Sequence, residues 1–344
     1  MSGAAPAIPV VARTMAVPMS LAGLRLDAAL AALLPEHSRS RLKAWLEDGH
    51  VLVDGETRAG KTRLEGGELL SLTLPDAGIE IEAQAEDIPL DILHEDEHLL
   101  VLDKPPGLVV HPGAGNREGT LLNALLHHAP SLANVARAGI VHRLDKDTSG
   151  VMMVAKTPLA QTQLVRQLQS HSASREYVAL VHGEVRRNGT VEGAIGRSAR
   201  DRTKMAMVVT GGKSAVTHYK VREHFGGPAL KGRHYTLIEC KLETGRTHQI
   251  RVHMASIKHP LVGDATYGKR GDVLFHRQAL HAWRLTLAHP LTGEMMRFSA
   301  PIPRDMKFLL RDLRAERDNA TRTGDDSDDD LGDEGDVEVI YVRE

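Results

Sequence analysis

Asp145 lies in the stretch VHRLDKDTSG, residues 141–150, with Arg143 before it and Lys146 directly after. Opposite charges on both sides favour its ionised form. An ionised carboxylate can attack an electrophilic carbon, or stabilise a carbon that is becoming cationic. The same residues also read as a simple turn, because Asp, Lys, Thr, Ser and Gly in this order bend a chain without any chemistry. Tyr177, in REYVALV, opens a strand-like run in which a half-buried tyrosine is normally a packing residue. Arg246, in ETGRTHQIR, precedes Thr247, which reads as the cap of a helix carrying Ile250, Met254 and Ile257. That places Arg246 near a helix N-terminus, a natural site for an anion.

Other chemistries fit less well. Asp145, Asp147, Ser149 and Gly150 match the opening of a calcium loop, but the twelfth position, where a bidentate acid belongs, is Lys156. TGGKS at 210–214 suggests a phosphate loop, yet the position of its first glycine is Met207. His248 and His253 are five residues apart and do not share a helix face as a zinc pair would. The sequence therefore implies neither a metal nor a nucleotide cofactor. Cys240 is the only cysteine, so a disulfide framework is excluded.

The net charge of −2 is misleading, because it divides into −9 for Gly324–Glu344 and +7 for the rest. The acidic block reads as a disordered tail. The basic remainder has the charge footprint of a nucleic-acid binder, although charge alone fits an ordinary surface as well. No apolar run reaches the roughly 18 residues of a membrane span. The Pro-interrupted first twenty residues read as a mobile arm rather than a signal peptide. The expected location is the cytoplasm.

These residues need a scaffold. In LRLDAALAALL, Leu26, Leu30, Leu33 and Leu34 share one helical face, and Pro35 ends it. Ser38 reads as the cap of a second helix that stops at Gly49 and shows Arg39 and Lys43 on one face. HVLVDGETR follows as a hairpin turning at Asp54-Gly55. From Asp91 onward, strands and helices mix without a regular alternation. DILHE and HLLVLDK, REYVALVHGEV and RHYTLIECKLE read as strands, and Thr157-Pro158 starts a helix carrying Leu164, Val165 and Leu168. The fold class expected is α+β, with a mixed, largely antiparallel sheet and flanking helices.

The first module, RLDAALAALLPEHSRSRLKAWLEDGHVLVDGE, resembles the S4 RNA-binding domain along its length. The second resembles the RluA-type pseudouridine synthases. GIVHRLDKDTSGVMMVAKT, REYVALVHG, DRTKMAM, GKSAVTHY and LETGRTHQIRVHMASIKHPLVGDATYG occur in that family's order and spacing. The resemblance implies an S4 domain over 21–85 and a catalytic domain over 91–313, which leaves the arm over 1–20 and the acidic tail over 314–344. It implies that a uridine is flipped from RNA into a pocket, its N1–C1′ bond broken and C5 joined to C1′, without cofactor or metal. Asp145 is then the essential carboxylate, Tyr177 the group against the target base, and Arg246 the ion-pair partner of Asp145. Arg143, His142, Arg202, Lys204 and Lys213 become RNA contacts, as do Arg39 and Lys43 of the first module, with a structural hydrogen bond as the alternative for His142. The implied partner of a monomeric enzyme is large-subunit (23S) ribosomal RNA, at the helix 69 stem-loop, free or in a 50S precursor. A sister specificity for other ribosomal or transfer RNA uridines, or a non-catalytic assembly factor, are the alternatives.

Overall fold

The structure is a computed structural model that describes residues 10–35, 37, 39–75, 83–113, 116–226, 230, 232–269, 274–321 and 340–341. The N-terminal unit holds β1 (Val10–Ala16), α1 (Leu26–Leu33), α2 (Arg39–Glu47), β2 (Val51–Val53) and β3 (Leu69–Pro75). Its sheet order is β1-β3-β2, all antiparallel. Leu26 and Leu30 of α1 and Leu42 and Trp45 of α2 bury against Val51, Val53, Leu70 and Leu72. Burial of these apolar side chains, each worth ~1.5–3 kcal/mol, holds the unit together.

Two expectations need correction here. The stretch expected as a mobile arm supplies β1, which pairs with β3 over its whole length, and Val17 after it is buried in this core. The Asp54-Gly55 turn is present, both residues having positive φ (52° and 84°). It closes a single antiparallel bridge, Val53 with Glu56, and the chain after it does not continue as a strand. The main partner of β2 is the distant β3, and Asp54 Oδ1 accepts from Leu69 N–H at 2.8 Å. Ser38 lies outside the described residues.

The larger unit contains β4 (Asp91–Glu95), β5 (Leu99–Lys104), α3 (Leu121–His128), β6 (Ser149–Ala155), α4 (Pro158–Gln169), β7 (Ser174–His182), β8 (Gly189–Arg197), β9 (Met205–Met207), β10 (Lys213–Phe225), β11 (Tyr235–Leu242), α5 (Gln249–Ser256), β12 (Leu280–Ala288), β13 (Met295–Ser299), α6 (Arg304–Thr321) and β14 (Ile340–Tyr341). The strands form one sheet ordered β4-β5-β6-β12-β7-β11-β10-β8-β9, with β13 and β14 on a branch from β12. The β6–β12 pair is parallel and the other described pairs are antiparallel, as an α+β fold requires.

Strand β6 is buried on both faces, and its alternation separates two cores. Met152 and Val154 join Ala179, Val181, Ile238 and Leu280 beneath Leu121 and Leu125 of α3 and Ile250 and Met254 of α5. Val151 and Met153 face the other way, with Leu285, Leu287, Phe298 and Leu164 of α4. Thr157 caps α4 by accepting from Ala160 N–H. Helix α6 runs past the expected domain end at residue 313, because Leu309, Leu310 and Leu313 bury and Arg314 and Arg317 both pair with Glu223 of β10. Ile340–Tyr341, in the segment expected to be disordered, pairs with β13. Among the described residues no helix is long and apolar enough to cross a membrane.

Candidate active site

The loop carrying Asp145 is fixed from beneath. Lys104, at the end of β5, is fully buried, and its Nζ donates to the carbonyls of Pro105 (2.7 Å), Leu108 (2.8 Å) and Lys146 (2.9 Å). Burial pulls the Lys104 pKa down to about 7, against the nearby charges of Asp147 and Asp145. Arg277 donates to the Asp147 carbonyl at 3.0 Å and Gln278 to the Thr148 hydroxyl at 3.2 Å. Thr148 N–H closes the turn onto the Asp145 carbonyl at 3.1 Å. Beyond it Gly150 has φ 115°, and a Cβ there would lie 2.1 Å from the Ala282 carbonyl oxygen. Only glycine lets the chain enter the parallel pairing with β12 at this distance.

From above, α5 holds the carboxylate. Arg251 Nη1 donates to Asp145 Oδ2 at 2.9 Å, while its Nε and Nη2 grip Asp264 at 2.7 and 2.8 Å. Asp264 is fixed in turn by Thr266 and Tyr267 N–H at 2.9 and 3.0 Å. Burial works to lower the Arg251 pKa, but the bonds and charges of Asp264 and Asp145 outweigh it and raise the value. Burial would raise Asp264, and Arg251 outweighs that and lowers it. A shared guanidinium fork of this kind is rigid and bidentate.

A cavity of about 900 Å³ opens over Asp145 and is lined by Tyr177, Arg246, Arg143, His142, His248 and Arg251, among others. Tyr177 comes from β7 at 6% exposure, and burial raises its phenol pKa. The three residues singled out for catalysis therefore line one space. Their pairing differs from expectation: Asp145 is bonded to Arg251, whereas Arg246 Nε donates to the Ser214 carbonyl at 3.0 Å. The reason is the start of α5. Thr247 does not cap it; the capping position is His248, in the left-handed conformation (φ 57°). Gln249 instead accepts from Arg246 N–H and the Thr244 hydroxyl through its side chain. Arg246 is thereby turned toward β10, and Arg251, one turn into the helix, faces Asp145.

Arg143 is exposed and has no hydrogen-bond or ion-pair partner among the described residues. His142 is a structural histidine: its Nε2 accepts from Met153 N–H at 3.1 Å, and burial beside Arg175 lowers its pKa to about 3. The structural hydrogen bond expected as the alternative is thus present, and His142 also lines the cavity. Arg202, Lys204 and Lys213 are not among the residues lining the cavity. Arg202 and Lys204 lie on the loop before β9, Lys204 3.8 Å from Asp201, and Lys213 begins β10. Lys43 sits exposed on α2, 3.5 Å from Glu47, and the Arg39 side chain lies outside the described residues. Sequence reasoning missed Arg251, Asp264, His248 and Tyr267. Their signal was an Arg three residues after His248 on one helix face, and an Asp-x-x-Tyr turn downstream.

Residues 98–256 match the RNA pseudouridylate synthase family, and residues 24–70 match the S4 domain. The chain is 52% identical over 315 residues to Ribosomal large subunit pseudouridine synthase D of Xanthomonas campestris, covering 88% of this chain and 92% of that one. It belongs to the RNA pseudouridylate synthase family. The protein of the same name from Nitrosomonas europaea is also 52% identical, over 87% of both chains. Among solved structures, Human RNA Pseudouridylate Synthase Domain Containing 1 matches with a TM-score of 0.50 and 26% identity, over 67% of this chain and 97% of that one. This RNA pseudouridine synthase therefore carries an S4 domain in front of its catalytic fold, and the likeness to the D-type synthases fits the motif pattern of the sequence.

Proposed function

We propose that this enzyme converts uridine to pseudouridine in large-subunit ribosomal RNA, at the helix 69 stem-loop, as a cytoplasmic monomer working on the RNA or a 50S precursor. The names of its relatives support the substrate class. The observation that carries the chemistry is the placement of Asp145: a carboxylate gripped by Arg251 at Oδ2 that lines a cavity also holding Tyr177 and the uncommitted guanidinium of Arg143.

In this reading a uridine leaves its stack and enters the cavity. Arg143 steadies the displaced strand, since a planar guanidinium can stack on bases and pair with phosphate. Asp145 acts on the nucleoside as the N1–C1′ bond breaks. The uracil turns and C5 bonds to C1′; the proton leaving C5 passes to the Tyr177 hydroxyl, which hands its own proton on to solvent, while N1 of the turned base takes up a proton. Arg246 contacts a phosphate, with Arg202, Lys204, Lys213, Arg39 and Lys43 along the RNA path. Such contacts position the RNA without reading its sequence.

Asp145→Asn keeps size and removes charge. Tritium release from C5 of uridine in the target RNA should vanish, while RNA binding and melting temperature stay near wild type. Near-normal release by the folded variant would sink the catalytic assignment. Mapping pseudouridines in ribosomal RNA with and without the enzyme tests the target.

A further inference from the structure

Asp145 offers two oxygens, and Arg251 holds only Oδ2. The other, Oδ1, lies 3.8 Å from Nε2 of His248. The opposite ring nitrogen, Nδ1, is 2.8 Å from the hydroxyl of Tyr267. That hydroxyl oxygen already accepts the N–H of Met205 in β9 at 2.9 Å. The negative charge of Asp145 favours the tautomer with the imidazole proton on Nε2, facing the carboxylate, and the Tyr267 hydroxyl then donates its own proton to Nδ1. The reverse tautomer would aim a nitrogen lone pair at a carboxylate. Burial lowers the His248 pKa, which favours the neutral ring this arrangement needs.

The geometry is fixed rather than incidental. His248 has φ 57°, a conformation that costs a non-glycine residue energy and persists only where its surroundings hold it. Its ring lies edge-on to Tyr267, with centroids 5.6 Å apart and planes at 71°. Arg251 covers the same tyrosine ring at 5.1 Å. His248 and Arg251 are three residues apart, so one helix start presents both grips.

We infer that His248, oriented by Tyr267, is a positioning residue that holds the second oxygen of Asp145 and ties the aim of the carboxylate to the β9 segment. The inference rests on the catalytic reading of Asp145. The separation of 3.8 Å exceeds a hydrogen bond, and a carboxylate rotation of about 1 Å brings it into range. Met205 adjoins Lys204 and the loop carrying Arg202. RNA seated on that loop would shift Met205 N–H, and the change would reach Asp145 through two hydrogen-bonding groups.

The test is a double-mutant cycle on the chemical step. Tyr267→Phe removes the hydroxyl alone. His248→Asn removes the imidazole while keeping a residue that tolerates positive φ. Tritium release from C5-labelled uridine in large-subunit ribosomal RNA is measured in single turnover with the full chain in saturating excess, beside RNA dissociation constants. Each single variant should slow release at least tenfold, because misplacing a reacting group by about 1 Å can cost up to a hundredfold. RNA affinity should stay within threefold, and the double variant should be no slower than the slower single one.

Saturated rates within twofold of wild type would overturn the inference, as would multiplicative losses in the double variant. Weaker RNA binding with an unchanged saturated rate would also overturn it, by showing that Tyr267 only anchors the β9 loop. Asp145→Asn is run alongside. Wild type that releases no tritium, or Asp145→Asn that releases it normally, overturns the catalytic reading itself and this inference with it.

Discussion

Removing Arg251 tests the central contact of the site. Arg251 is 7% exposed at its side chain, Asp264 is 0% and Asp145 15%. Arg251→Met keeps much of the stem and deletes the guanidinium, leaving Asp264 charged in a fully covered position. Breaking a buried pair by deleting one partner costs about 3–5 kcal/mol. The backbone N–H groups of Thr266 and Tyr267 still bind Asp264, so the lower end is expected. In a unit of this size that corresponds to a fall in melting temperature of roughly 10 °C. Arg251→Lys should lose less stability, but one ammonium cannot serve two carboxylates as the fork does. Both variants should release tritium at least tenfold more slowly while still binding RNA.

The sign of the pH dependence follows from Asp264. Its folded-state pKa lies below its ordinary 3.8. The stabilisation is therefore complete above that ordinary value and is lost as pH falls through the lowered one. The deficit of Arg251→Met should be largest at neutral pH and shrink below about pH 4. Arg251→Met/Asp264→Asn should recover part of the stability, because no charge is then left buried without its partner. Urea unfolding across pH, beside tritium release at a temperature where each variant is folded, measures all of this. Refutation would be an Arg251→Met protein that melts within 2 °C of wild type (about 1 kcal/mol or less) and reacts at the normal rate.

Lys104→Met should destabilise by about 2–3 kcal/mol in urea unfolding, since three carbonyls lose a common donor; a neutral result would show that Lys104 does not hold the Asp145 loop. Asp103 faces Asp91 across β4 and β5, and burial, then Asp91, raises its pKa to about 6. The folded state thus favours the protonated acid, and stability falls as pH rises through the interval from 3.8 to about 6. Asp103→Asn should be more stable than wild type by about 1 kcal/mol at pH 7.5 after solvent screening, and equal to it near pH 3; equal melting curves at both pH values would contradict this. Arg246→Gln should weaken RNA binding and reduce the salt dependence by about one counterion, with a saturated chemical rate near wild type; a lost chemical step with unchanged binding would return Arg246 to the Asp145 pair.

The strands and the residues of the cavity were legible because their signals are local. REYVALVHG carries a short apolar run, Tyr177 to Val181, bounded by polar residues and a glycine, Thr157-Pro158 carries cap chemistry, and Asp145 lies in a motif read within ten residues. What was illegible depends on distance or burial. The Arg251 contact joins positions 106 residues apart, and two arginines of one motif compete for the same role. The family resemblance gave Arg246 the ion pair, and Thr247, read as a cap, gave it only a helix N-terminus, yet His248 adopts a left-handed conformation that propensity argues against. Strand β1 was hidden because its partner, β3, lies more than fifty residues downstream, and Pro residues around it suggested an arm. The reach of α6 to Thr321 depends on Glu223, which no local pattern links to Arg314 or Arg317.

The basic groups around the Asp145 loop and its cavity divide along a physical line. Arg251 and Lys104 are buried and fully engaged, and each fixes atoms of the Asp145 loop. Arg143 is exposed and uncommitted, and Arg246 is held only through Nε. A group that must aim a carboxylate gains from being locked before substrate arrives, since freedom left there would be lost at the transition state. A group that meets a flexible RNA strand gains from keeping free N–H donors, because it replaces counterions on phosphates whose position varies. Substituting the first kind should therefore change the chemical rate at saturating RNA, and substituting the second should change affinity and its salt dependence. Arg251→Lys and Arg246→Gln, each removing one guanidinium from the same cavity, separate the two effects in a single pair of assays.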